Sequence, residues 1–179
     1  MEGLVVEVGF KLKNNLVYYH DLLINRGLKL DFSCITRDVY YTNKNLDGMT
    51  ENEMKNSCVR IRYFQGINKE EKDNSQQLAE EKKLLNEGYN KIFDTLKIDF
   101  QYSKEGMKSK IQIQDIKDIG LIVYYDNPDY YGMALDEQRK KLIHELNTYG
   151  FEFEDSELGV DKLRTLYYGK YMFSENQNG

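Results

Sequence analysis

Apolar and polar positions alternate with period two along 4–13, placing Val6, Val8, Phe10 and Leu12 on one face and Glu7, Gly9, Lys11 and Lys13 on the other. The same division sets Val59, Ile61 and Tyr63 against Arg60 and Arg62, and Ile98, Phe100 and Tyr102 against Lys97, Asp99 and Gln101. It returns with Ile111 and Ile113 against Lys108, Lys110, Gln112 and Gln114. Strands are therefore expected over 4–13, 58–64, 97–103, 108–116 and 119–126, with a further strand-like stretch at 28–42 rich in β-favouring residues. Helical spacing predicts helices over 15–26, capped by Asn14-Asn15, and over 75–96, where Gly88 interrupts the pattern. It also predicts 135–149, stopped by Gly150, and a last helix over 158–168, with a short edge strand at 151–154. The stretch 43–57 reads as a surface loop with a helical turn, and 65–74 as a solvated connector.

The chain has 179 residues, 31% of them charged and one proline, which describes a globular, polar protein. A single domain over 1–173 with a polar tail at 174–179 is expected. The formal charge of −5 argues against an extended nucleic-acid surface, so an anion site must be a local concentration of cations. No stretch approaches the roughly 20 apolar residues that span a bilayer, and no signal segment opens the sequence, which predicts a cytoplasmic protein with no membrane contact. Cys34 and Cys58 fit reduced, structural thiols.

On the polar strand faces Lys11, Lys13, Arg60, Arg62, Lys97, Lys108 and Lys110 outnumber Glu7, Asp99 and Asp126. Such faces are either solvated or they line a groove in which an anion relieves the mutual repulsion of the cations. His20 and His144 sit within predicted helices and read as ordinary helix positions. The paired tyrosines read as packing. No P-loop, zinc-protease, hydrolase-elbow or dinucleotide motif is present.

Four landmarks follow in order: Glu7-x-Gly9-x-Lys11, Asp38-Val39-Tyr40-Tyr41-Thr42, Arg60-Ile61-Arg62, and Asp115-Ile116-Lys117-Asp118-Ile119-Gly120. Together they resemble the CYTH, or triphosphate-tunnel, superfamily of class IV adenylyl cyclases, thiamine triphosphatases and tripolyphosphatases. The resemblance implies an α+β fold: an antiparallel β-barrel of about eight strands with helices packed outside. It implies triphosphate binding by Lys11, Lys13, Arg60, Arg62, Lys108 and Lys110, and Mg²⁺ or Mn²⁺ held by Glu7 and Asp126. The expected partner is then ATP, tripolyphosphate or thiamine triphosphate. The chain departs from the family's two E-x-E patterns, because Gly9 stands at one glutamate position and Tyr124 and Asp126 stand at two others. Three functions remain open: a metal-dependent cyclase or triphosphatase, a binder of nucleotide or polyphosphate that has lost its metal site, and a protein-interaction module.

Overall fold

The computed structural model describes residues 8–67, 72–154, 160–170 and 172. Its strands are β1 (Val8–Lys11), β2 (Lys29–Thr42), β3 (Val59–Ile67), β4 (Asn90–Ser103), β5 (Ile111–Ile116) and β6 (Gly120–Tyr125). The helices are α1 (Leu16–Asn25), α2 (Glu51–Ser57), α3 (Ser75–Asn86), α4 (Leu135–Tyr149) and α5 (Lys162–Tyr168). The sheet order is β1-β6-β5-β4-β2-β3, and β1 with β6 and β2 with β3 pair antiparallel. An α+β fold built on an antiparallel sheet is thus as the resemblance implied. Among the described residues the sheet has six strands in place of about eight, and closure into a barrel is not seen in this order.

The chain divides into two compact units. Unit 1 comprises 1–33, 99–115 and 120–159, and unit 2 comprises 34–98, 116–119 and 160–179; β2 and β4 run through both.

In unit 1, Phe10 and Leu12, Ile111 and Ile113, and Leu121 and Val123 point to one side of the sheet. Helix α1 covers them with Tyr19 and Leu23, four residues apart, and α4 with Leu142 and Leu146. The Asn15 side chain accepts from Tyr18 N at 2.9 Å and so starts α1, as expected of a cap. Both helices fall where helical spacing placed them. Leu12 bridges to Phe153, which realises the expected short edge pairing.

In unit 2, Val39 and Tyr41 of β2 and Ile61 of β3 pack under Leu84 of α3. The opposite side of β2 carries Thr36, Asp38 and Tyr40, all buried. Tyr40 continues into a second cluster with Leu46, Met54 of α2 and Leu163 of α5. Fully burying one such side chain contributes about 1.5–3 kcal/mol, which holds these two short helices on that side of the strand.

Several boundaries differ from expectation. The helix expected over 75–96 stops at Asn86, and Tyr89 to Leu96 belong to the approach and first half of β4. Gly88 has φ +85°, a left-handed conformation that ends the helix and turns the chain into the strand. β5 begins at Ile111, not at 108, because Met107 N bonds back to Lys104 O in the preceding turn. β1 ends at Lys11 and β6 at Tyr125, which leaves Lys13 and Asp126 beyond the strands. The 43–57 stretch holds a helix, α2, with a capping box between Thr50 and Glu53.

Candidate functional site

The densest charge constellation lies on the polar side of unit 2. β2 and β3 pair so that Asp38 faces Arg62 and Tyr40 faces Arg60, and the strand pleat puts all four on one side. Arg62 grips Asp38 through both carboxylate oxygens, Nε at 2.7 Å and Nη2 at 2.9 Å. Arg60 Nη1 stands 4.0 Å from the same carboxylate, with 47% of its side chain exposed. Lys97, from β4, brings its Nζ to 3.9 Å of Asp38 Oδ2, and only 3% of its side chain is exposed.

A fourth cation comes from a helix. Lys162 opens α5, whose placement depends on Leu163 in the α2 cluster and on Glu51, whose carboxylate accepts from Leu163 N at 2.9 Å and Arg164 N at 3.0 Å. That anchorage brings Lys162 within electrostatic range of Lys97, Asp38, Arg60 and Arg62.

The electrostatics record this crowding. Burial pushes the Lys162 ammonium down to about 8, and the charges of Lys97, Arg60 and Arg62 add to the effect while Asp38 opposes it. Burial is also the largest influence on Asp38 and would raise its carboxyl. The Arg62 hydrogen bonds and the charges of Lys97, Arg62 and Arg60 outweigh burial and hold it below the usual carboxylate range. Tyr40 is pushed up to about 12, by burial first and the Asp38 charge second, so it stays a neutral hydroxyl. Among the described residues, the Asp38 carboxylate is thus surrounded by the charges of Arg60, Arg62, Lys97 and Lys162. Chemically, this arrangement offers planar guanidinium forks and ammonium groups to a multiply charged oxyanion.

Of the residues singled out from sequence, Arg60 and Arg62 stand together in this cluster. The remaining cations belong to unit 1. Lys11 is mostly buried and pairs with Glu154 at 3.2 Å, and its Cε lies against Gly120. Lys13 is exposed just past β1. Lys110 precedes β5 and reaches Asp31 at 3.5 Å, and Lys108 binds Asp129 in the same approach. Glu7 lies outside the described residues. Asp126 is half-buried and accepts the Tyr131 hydroxyl.

Gly9 and Tyr124, the two departures from the acidic pattern, are cross-strand partners. A Cβ at Gly9 would come within 2.7 Å of Tyr124 Cε1, so the glycine is the space the ring occupies. Among the described residues no group of three or more His, Cys, Asp and Glu side chains is placed to hold a metal ion.

No protein-family model matches the sequence, and no curated protein does. Solved structures match over most of the chain. PH1819 from Pyrococcus horikoshii OT3 has a TM-score of 0.56 at 15% identity, covering 83% of this chain and 92% of that one. PH1012 from the same organism has a TM-score of 0.53 at 13% identity, covering 85% and 93%. A provisionally assigned adenylate cyclase from Vibrio parahaemolyticus has a TM-score of 0.57 at 15% identity, covering 85% and 91%. The chain shares its fold with these three structures. At such identities the likeness carries the fold alone, and residue roles rest on the geometry above. No described helix is long and apolar enough to cross a membrane.

Sequence reasoning placed Arg60 and Arg62 on a strand face and counted Lys97 with them, but it overlooked Asp38 and Lys162. Asp38 had a readable signal, since a carboxylate alternates with Thr36 and Tyr40 along a stretch rich in β-favouring residues. Lys162 had none, because a helix delivers it to a strand face.

Proposed function

We propose that the chain binds the triphosphate group of a nucleotide or an inorganic polyphosphate at the Asp38, Arg60, Arg62, Lys97 and Lys162 cluster. The observation that carries this reading is the convergence of Arg60, Arg62 and Lys97 on the buried Asp38 carboxylate, with Lys162 within electrostatic reach. Phosphate oxygens brought among them offset the mutual repulsion of these cations, which adds to the burial that lowers the Lys162 ammonium. Asp38 fixes the Arg62 fork, while the half-exposed Arg60 and the Lys162 amine meet the incoming oxygens. The adenylate cyclase assignment of the Vibrio relative is consistent with a nucleotide as the source of the triphosphate. Binding, not turnover, is the activity proposed. Any Mg²⁺ or Mn²⁺ then arrives as the counter-ion of the phosphates, and no catalytic step is drawn through it.

Calorimetric titration with tripolyphosphate and ATP, without metal and near pH 8, tests the reading. Binding should draw protons from the buffer, so the observed heat should change between buffers of different ionisation enthalpy. Lys162→Met should remove that dependence. Arg60→Ala should weaken affinity by about 1–3 kcal/mol, the usual size for hydrogen bonds to charged groups, and leave stability within about 0.5 kcal/mol as at other exposed positions. Absence of binding heat with both ligands would sink the proposal. Release of pyrophosphate, phosphate or cyclic nucleotide with Mn²⁺ at about the 10 s⁻¹ typical of enzymes would replace binding by catalysis.

A further inference from the structure

Unit 1 carries a separate concavity on the helix-covered side of its sheet, the side of Tyr125 and opposite to that of Lys11 and Tyr124. The cavity measures about 480 Å³, and its lining includes Arg26 after α1, Lys104 and Lys108 of the β4–β5 turn, Asn127, Glu145 and Tyr149. That volume is within the roughly 300–1,000 Å³ usual for small-molecule sites.

Its walls are tied by polar contacts. Glu145 accepts from Tyr125 Oη at 2.7 Å and Asn127 Nδ2 at 3.1 Å, and also from the Tyr130 hydroxyl. Arg26 Nη1 donates to Thr148 O at 3.1 Å, which joins the ends of α1 and α4. Met107 N donates to Lys104 O at 3.1 Å and closes the turn above them. A cavity held in this way loses little entropy on filling.

The partners also determine the sign of charge the cavity can accept. Both acidic groups already hold donors: Glu145 has three, and Asp129 has Lys108. The Lys104 ammonium lies 5.3 Å from the centre of the Tyr149 ring and meets no carboxylate among the described residues. A cation over a ring at an exposed site gains about 0.5–1 kcal/mol, less than the about 1.5–3 kcal/mol of a hydrogen bond to a charged group. Arg26 uses one of its five N–H donors on Thr148. A cationic ligand would find its acceptors taken. An anionic one would find two cations that gain by turning to it.

We propose that this cavity binds a small organic anion, its phosphate or carboxylate group seated on Arg26 and Lys104 and its uncharged body against Met107 and Tyr149.

Amide-resolved NMR of the full chain, titrated with adenosine 5′-monophosphate and separately with citrate, tests this. The amides of Lys104, Gly106, Lys108 and Thr148 should move with saturation. The response to the nucleotide alone would assign phosphate chemistry, and the response to citrate alone would assign carboxylate chemistry. Arg26→Ala and Lys104→Ala should each weaken that response by about tenfold or more, equivalent to about 1.4 kcal/mol. Arg60→Ala, in the other unit, should leave it unchanged. Still amides with both ligands, or shifts that persist undiminished in both cavity variants, would overturn the proposal.

Discussion

The two units share a plan and differ in what they do with it. In unit 1 helices cover one side of the strands and the other side is polar; in unit 2 α3 covers one side, while α2 and α5 pack on the polar side itself. In unit 2 that polar side concentrates charge: Arg60, Arg62, Lys97 and Lys162 face Asp38. In unit 1 the described polar groups of the corresponding side have close partners of their own. Lys11 has its carboxylate in Glu154, the Tyr124 ring lies across Gly9, and Gln112 donates its amide to Asp99 at 2.7 Å. The difference teaches two ways in which a polar strand side is held without ligand: in unit 2 a buried carboxylate keeps cations in place, and in unit 1 a tyrosine ring lies across a glycine.

The largest effect should come from removing the carboxylate. Asp38→Ala leaves the buried Lys97 and the half-buried Arg62 without the group they converge on, and breaking a buried pair this way costs about 3–5 kcal/mol. Urea denaturation should show this loss. Tripolyphosphate should restore more stability to the variant than to the parent chain, since its oxygens replace the missing charge. A loss below about 1 kcal/mol would mean that water solvates the cations and that the cluster is surface-like.

A smaller effect should come from the unit 1 pair. Alanine at an unstrained strand glycine ordinarily stabilises by about 0.4–1 kcal/mol. At Gly9 the new methyl meets Tyr124 at 2.7 Å, so Gly9→Ala should instead cost about 1–3 kcal/mol, as overpacking does. In a Tyr124→Ala background the same change should become neutral or stabilising. Additive stabilities in this double-mutant cycle would show that the ring does not depend on the glycine.

The legible parts of this fold are those where one periodicity decides the structure. Tyr19 and Leu23 of α1 and Leu142 and Leu146 of α4 meet a core on one stripe, and both helices are found where the spacing put them. The passage from α3 to β4 was not legible, because Tyr89, Ile92, Phe93 and Leu96 continue an apparent helical stripe while the backbone has already turned at Gly88. Ile92 and Phe93 pack with the Tyr40 cluster from consecutive positions near a strand end, a pattern that fits neither period. For the site, alternation revealed which arginines share a face. It could not reveal Lys162, whose position depends on Leu163 and Glu51, two tertiary contacts with no spacing signature.

The mildest test uses pH and also asks whether Lys162 belongs to the cluster. Its folded value of about 8 lies below the ordinary 10.5, so between the two the unfolded chain holds a proton that the folded chain has released. Stability rises with pH wherever the unfolded state binds more protons, at up to about 1.4 kcal/mol per pH unit for one group. Below about 8 Lys162 is charged in both states and contributes no slope. Above 9 the raised Cys58 thiol, and above 10 the tyrosines held near 12 such as Tyr63 and Tyr102, act in the opposite direction because the unfolded chain loses their protons first. The clean window is therefore pH 8 to 9, where urea midpoints should rise by the equivalent of about 1 kcal/mol. Lys162→Met should flatten that rise, and so should saturating tripolyphosphate, because phosphate oxygens beside the amine return its proton. A rise that survives both treatments would place the titration elsewhere and remove Lys162 from the site.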